Sequence, residues 1–465
     1  MKPERLLLLL IPWGLSLTFS TLPVISYFIA WLGSFFIFYV SIKGLIKPIP
    51  TDLKVSEQLM RPLFLPHIIF AGYMCSTSIF YFFSVLGVDN FSAPAPNYFI
   101  DLNELERVAQ CQRYYCLAHA VYVAGILLHM NYDQKKRYYL NIKDSASFML
   151  LSAVFLIPFS AIFQYIGALR QFYFQFQSLS FMAGTLALAF AIPQKKPGNT
   201  LLAGLLFLLN VSQALLSGFK EPIILSFLIL GVFLYPFYKK LVMVTFIPFL
   251  LLLFILLPTY AQVFRANAWS DEKSAEDASD LAINAVLNQS SEETDETNWG
   301  FLTNRLSEMG MFTIYANNIP SQKDYYGFEL VKQALSVIIP RVFWPDKPST
   351  EELIMERVYD AGVVQRGSSV SAKPQLVVDA FLSGGNIGII IILFMYGSIV
   401  QLISVKAEKL FGGYVIGTAL IFLGLSLPVI RGNSLEFLSN TMFWSYISML
   451  VIFWSLRYFN IIRKI

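Results

Sequence analysis

The chain reads as an all-α, polytopic membrane protein of about twelve transmembrane helices, with one large outer loop between the ninth and tenth. Three observations predict this. Of 465 residues, 56% are hydrophobic and only 14% charged, where a soluble chain carries about 25% charged residues. Mostly apolar stretches of spanning length, about 20 residues, recur from end to end. Lysines and arginines gather on alternate connections, the asymmetry that sets orientation in a bilayer. A soluble enzyme on a single anchor is excluded by this composition.

Taken in order, the spans are Leu6–Leu22, Val24–Ile42, Leu63–Leu86, Tyr114–Met130, Phe148–Leu169 and Phe174–Ile192, then Leu201–Ser217, Pro222–Phe237 and Leu241–Tyr260. After the loop come Leu376–Val405, Tyr414–Ile430 and Phe437–Leu456. Pro23 separates the first two spans, so that turn is abrupt. Met1–Leu22 has the basic start and apolar run of a signal peptide but no A-x-A cleavage pattern, so it reads as a retained helix. The eighth span is short and reads as tilted or partly re-entrant. The chain therefore divides into residues 1–261 with spans one to nine, the large loop with short helices at 262–375, and residues 376–465 with spans ten to twelve.

Twelve spans with an inside N-terminus place 19 of the 34 basic residues, but only six of the 30 acids, on one side. That side is the cytoplasm by the positive-inside tendency, and both termini lie there. The short inner loops have no room for a nucleotide-binding domain, and no P-loop, HExxH or CxxC pattern occurs. No cofactor, metal or nucleic acid is called for. The three cysteines sit in or beside apolar spans and suggest no disulfide framework.

The outer segments hold the polar sequence. Leu102–Gln110 reads as a short surface helix, and Phe328–Ile339 (FELVKQALSVII) as an amphipathic helix on the membrane surface or packed on the bundle. Ser270–Thr297, rich in Ser, Glu and Asp, reads as a solvated excursion or, more sharply, as a lid over a cleft. SGGNIG (Ser383–Gly388) permits a close backbone approach or a half-helix start.

Ionisable residues cluster at the outer ends of the spans, where charge is costly and often functional. Lys220 and Glu221 sit in the tight SGFKEP turn, Arg431 and Glu436 around RGNSLE, and Arg265 and Asp379 at the loop's two edges. Snorkelling is the bland reading for any single cation near a span end, and ion pairing with loop acids is the bland reading for Arg305, Arg341, Arg366 and Lys373. Together these cations offer an anionic ligand a surround at headgroup depth, because the arginine fork matches two phosphate oxygens.

With IIPRVFWPDKP, SGFKEP, RGSS, LSGGNIG and RGNS in place, the sequence resembles the O-antigen polymerase (Wzy-like) family, which joins oligosaccharide repeat units of bacterial surface polysaccharides. The resemblance covers the whole layout. It implies a glycosyltransferase of the GT-C class in the bacterial inner membrane, with the large loop periplasmic. Donor and acceptor would be oligosaccharides on undecaprenyl diphosphate, and a chain-length regulator and membrane lipids would be partners. Such chemistry needs fixed cations to meet charge developing on the diphosphate and a base for the acceptor hydroxyl. Lys220, Arg265, Arg305, Arg341, Arg366, Lys373 and Arg431 are the candidates for binding. Glu221, Asp346, Asp379 and Glu436 are the candidates for the base. No DxD motif is present, in keeping with metal-independent transfer.

An O-antigen ligase shares the layout but, as a family, uses an outer-loop histidine, whereas His67, His119 and His129 all fall in spans. A flippase or transporter of the lipid-linked oligosaccharide predicts charge along a mid-membrane path, and the span centres are nearly free of charge.

Overall fold

The computed structural model describes residues 3–132, 137–142, 144–269, 273–367, 372–427 and 433–465. Helices account for almost all of the regular structure among them. A 3₁₀ turn over Pro3–Leu10 leads into α1 (Ile11–Thr18) and α2 (Pro23–Ile42). There follow α3 (Leu65–Val85), α4 (Leu102–His129), α5 (Ser145–Tyr165), α6 (Arg170–Ala191), α7 (Pro197–Leu215), α8 (Lys220–Leu234) and α9 (Lys239–Ala268). The loop contributes α10 (Ala275–Asn288), α11 (Ser291–Phe301), α12 (Met309–Asn318), α13 (Glu329–Ile338) and α14 (Thr350–Asp360). The chain closes with α15 (Leu376–Leu410), α16 (Val415–Ser426) and α17 (Leu435–Tyr458). One antiparallel pair, β1 (Tyr138–Leu140) on β2 (Ile462–Lys464), ties the α4–α5 connection to the C-terminal tail.

Among the described residues eight helices are long and apolar enough to cross a membrane: α2, α3, α5, α6, α7, α9, α15 and α17. The protein is thus an all-α polytopic membrane protein. The outward faces agree: along α9, Leu241, Val244 and Leu251 are each more than half exposed, a pattern that suits lipid and not water. The other four expected spans are helical over most of their described residues but fall outside this set, and the last three residues of the eleventh lie outside the described residues. The eighth is only the 15 residues of α8.

The fourth is α4, the central post of the bundle, packed against α2, α12 and α15. It mixes polar residues into an apolar helix because protein surrounds it. Its buried Gln112 takes a bond from Ser78 Oγ at 2.7 Å and gives one to the Cys75 carbonyl at 3.2 Å. Its His119 meets His67, Nε2 to Nε2, at 2.6 Å. Such interhelical pairs contribute modestly, about 0.6 kcal/mol each on average, but they spare lipid the polar groups. The expected surface helix at Leu102–Gln110 is simply the first turns of α4, capped by Asp101 accepting from Asn103 and Glu104 N–H.

α15 is two helices meeting at Gly384 and Gly385. Gly385 holds φ +58°, and a Cβ on Gly388 would lie 2.1 Å from the Ala380 carbonyl oxygen. Only glycine permits this doubling back, so SGGNIG is the close approach that its sequence allowed. The first of the two helices, Leu376 to Leu382, is buried on every side.

Two buried arginines anchor the ends of the bundle. Near the chain termini Arg61 bonds Asp52 at 2.8 and 2.7 Å and Glu408 at 2.9 and 2.8 Å, and it stacks on Tyr132 at 3.8 Å. At the loop end Arg357 of α14 bonds Asp379 at 2.9 and 3.0 Å and Glu436 at 2.7 and 2.7 Å. Leu435 N–H adds a 2.7 Å bond to Asp379. The second cluster fastens the loop to α15 and α17.

Candidate functional site

A cavity of about 1120 Å³ opens where the loop helices α10 and α11 meet the ends of α8 and α9. Its construction is local. Gly218, at φ +70°, turns the chain so tightly that a Cβ would meet the Phe264 ring at 2.6 Å. That turn sets Lys220, in the first turn of α8, beside Arg265 in the last turn of α9. Arg265 Nε donates to the Gly218 carbonyl at 3.1 Å, and its guanidinium lies over Trp269 and Phe219, 4.8 and 5.3 Å from the ring centres.

The loop segment expected as a solvated excursion or a lid over a cleft forms, apart from residues 270–272, which lie outside the described set, two capped helices that are largely exposed and border the cavity. Ser274 caps α10 by accepting from Asp277 N–H. A reciprocal capping box, Ser290 with Glu293, starts α11. Tyr260 of α9 holds α10 through Ser279 Oγ at 3.0 Å. α11 ends in Phe301, whose ring centre lies 3.4 Å from Lys220 Nζ. The following π-helical turn, Leu302–Leu306, presents Arg305.

Opposite, a tight turn closes Asp89 on Ser92 with paired backbone bonds of 2.7 and 3.3 Å. Asn90 and Phe91 both take positive φ in it, as a two-residue reversal of this hand requires. It directs Asp89 and Asn90 to the cavity and sets Phe91 edge-on to the buried Trp299, 5.0 Å between centres.

The cavity thus has two chemistries. Lys220, Arg265 and Arg305 line it together near the N-terminus of α8, whose dipole also favours an anion. The same cavity is also lined by the amides of Asn90, Gln262, Asn288, Gln289 and Asn304 and the carboxylates of Asp89, Glu293 and Glu296. Glu293 is occupied by its cap, accepting from Ser290 N–H at 2.9 Å. Lys220 forms no carboxylate pair among the described residues. Burial, and then the neighbouring Arg265 and Arg305 guanidiniums, push its amine down to about 7. A bound anion would relieve that strain. The arrangement can hold a multiply charged anion beside a hydroxyl-rich group.

A family model described as a domain of unknown function (DUF8712) matches residues 11–464. The chain belongs to this family. No curated protein and no solved structure matches it.

Of the seven cations expected from sequence, the structure of this family member brings three together: Lys220, Arg265 and Arg305. Arg366 pairs instead with Glu356 at 3.1 and 2.8 Å and Asp360 at 3.4 Å, exposed to solvent. Lys373 pairs with Glu351 at 2.9 Å. Arg341 is exposed and bonds the Pro345 carbonyl at 3.2 Å. Arg431 lies outside the described residues.

Among the four carboxylates, Asp379 and Glu436 are fully buried on Arg357. Neither lines this cavity, because the folded chain uses them to neutralise a buried guanidinium. Asp346 is exposed away from the cavity, and Glu221 follows Lys220 without lining it.

Sequence reasoning missed Arg357, which looks like any polar loop residue in MERVYD. It also missed the Asp89, Glu296 and Trp299 walls. One signal was available: the Ser290–Glu293 and Ser349–Glu352 spacings are capping boxes, which announce helices inside the polar loop.

Proposed function

We propose that this protein polymerises undecaprenyl-diphosphate-linked oligosaccharide repeat units at the outer face of a bacterial inner membrane, as a GT-C-type glycosyltransferase. The reading takes twelve spans, both termini in the cytoplasm and the loop helices in the periplasm. The single observation that carries it is the convergence of Lys220, Arg265 and Arg305 on one cavity whose walls also carry amides and carboxylates. Those are the needs of a diphosphate leaving group and a glycan.

In this reading the acceptor hydroxyl oxygen attacks the anomeric carbon of the donor. The bond from that carbon to the diphosphate oxygen breaks, and its electron pair leaves with the diphosphate. The three cations meet that charge without a metal ion. The hydroxyl proton passes to a carboxylate on the cavity wall. Glu296 and Asp89 line the cavity and have no side-chain partner among the described residues, so they take the role first looked for in Glu221, Asp346, Asp379 and Glu436. Removing one fixed donor should cost about 2.7–4 kcal/mol in the transition state, or roughly 10²–10³ in rate.

The test uses purified protein in nanodiscs with a lipid-diphosphate-linked repeat unit, without nucleotide sugar or metal. A product ladder that Arg265→Ala and Arg305→Ala abolish supports the proposal. Substrate consumed without a ladder points to ligase or hydrolase chemistry. Intact substrate carried between leaflets sinks the enzyme reading in favour of a flippase.

A further inference from the structure

α9 belongs to two environments. Its outer end lines the cavity through Pro258, Ala261, Gln262 and Arg265. Counting back along the helix from Pro258, the same face carries Phe254, Leu251, Ile247 and Val244, because residues three and four apart stack on one side. All four are exposed, Val244 and Leu251 by more than half. α8 packs on the opposite side, where Phe227 meets Phe249 edge-on, 4.7 Å between ring centres. From Val244 to Gln262 the face runs about 27 Å at 1.5 Å per residue, close to the hydrocarbon thickness of a bilayer, about 30 Å. Phe301 marks the junction. Its ring stands edge-on to Phe254, 5.6 Å between centres, and its own centre lies 3.4 Å from Lys220 Nζ. The loop walls Asn288, Gln289, Glu293, Glu296 and Thr297 are polar, so a hydrocarbon chain leaving the cavity finds apolar company on the membrane side.

We propose that this face of α9 seats the hydrocarbon chain of a phosphate-bearing isoprenoid lipid whose headgroup occupies the cavity, so that the lipid enters sideways from the bilayer beneath Phe301. Two features support the assignment. The face open to lipid and the face lining the cavity are one face, so the chain and the headgroup of a single molecule reach both without a turn. Phe301 touches both parts, with an apolar ring on one side and an ammonium on the other, as the boundary between a chain and its phosphate requires. Lipid tails are as apolar as leucine, so the strip alone holds a chain weakly. The headgroup fixes it there, and occupancy of the strip therefore depends on the phosphates. A glycerophospholipid shares the phosphate chemistry. The isoprenoid assignment rests on the glycosyltransferase reading, whereas the entry route rests on the helix face.

Bulk lipid also covers exposed helix faces, so the test separates a seated lipid from passing neighbours. In the full-length protein, photoreactive benzoylphenylalanine replaces Leu251 or, as a control, Ile157, which is exposed and lies as many residues into α5 as Leu251 does into α9. Each protein is placed in phosphatidylcholine nanodiscs with undecaprenyl diphosphate at low mole fraction and irradiated, and mass spectrometry identifies the captured lipid. Position 251 should capture undecaprenyl diphosphate well above its share of the lipid, and position 157 in proportion to it. Undecaprenol, which lacks the phosphates, and phosphatidylglycerol should be captured in proportion at both. Arg305→Ala should lower the excess about fivefold, the contribution of one surface cation to an anionic lipid. Proportionate capture at 251, an equal excess at 157, or an equal excess of undecaprenol overturns the entry route. An equal excess of phosphatidylglycerol overturns the isoprenoid assignment. A product ladder without excess capture sinks this proposal and leaves the glycosyltransferase reading standing; excess capture without a ladder does the reverse.

Discussion

Lys220 carries the sharpest prediction. Its amine sits at about 7 against an ordinary 10.5, through burial first and the Arg265 and Arg305 charges second. A diphosphate favours the protonated amine, so binding takes up a proton wherever the free amine is neutral. The sign follows. Below about pH 7 the amine is already charged, and Lys220 adds no pH dependence to binding. Above it, affinity falls by at most tenfold per pH unit, the limit for one linked proton. From pH 7 to 8.5 that limit is roughly thirtyfold. Lys220 is only partly buried, so screening lowers the expected loss to on the order of tenfold.

Calorimetry of farnesyl diphosphate binding, in buffers of different ionisation enthalpy, reads both the affinity and the proton count. Lys220→Arg keeps the charge throughout and reports the ligand's own ionisation, so the ratio of wild type to that variant isolates Lys220. If the two proteins run parallel from pH 6 to 8.5, with no extra proton taken up by wild type, the anion-site argument fails.

Other outcomes follow from the same contacts. Arg357→Leu strands Asp379 and Glu436 in the interior and should cost about 3–5 kcal/mol, seen as a collapse of the apparent Tm; replacing all three with apolar residues of matching volume should recover much of it. Glu296→Gln should lower turnover of a lipid-linked repeat unit by about 10²–10⁴ while leaving farnesyl diphosphate affinity intact, measured on one preparation. Gly388→Val drives a side chain into the Ala380 carbonyl and should yield no monodisperse protein by size exclusion, whereas Gly384→Ala, with open space around its Cβ position, should. Arg366→Ala breaks only an exposed ion pair and should leave both Tm and turnover at wild-type values.

Hydropathy located the lipid-facing helices because lipid imposes a one-dimensional rule: about twenty apolar residues in a row. α9 and α15 obey it plainly, and the loop between them stands out by polarity alone. α4 hid its full extent, since a helix wrapped in protein answers to its neighbours and can hold Gln112 and His119 in mid-bundle. Lys220 and Arg265 could be nominated from sequence because each sits at the end of an apolar run, where a charge is conspicuous. The same logic nominated Asp379 and Glu436 and could not see Arg357, the partner that buries both.

Charge type and membrane placement are thus local properties of this chain, written in composition and spacing. Which cations converge is a long-range property. It took the Gly218 turn, the capped helices α10 and α11 and the Arg357 anchor to put three of them around one cavity and leave Arg366 and Lys373 to loop acids. Opposite charges pair with whatever the fold brings within about 4 Å, and that distance is decided in three dimensions.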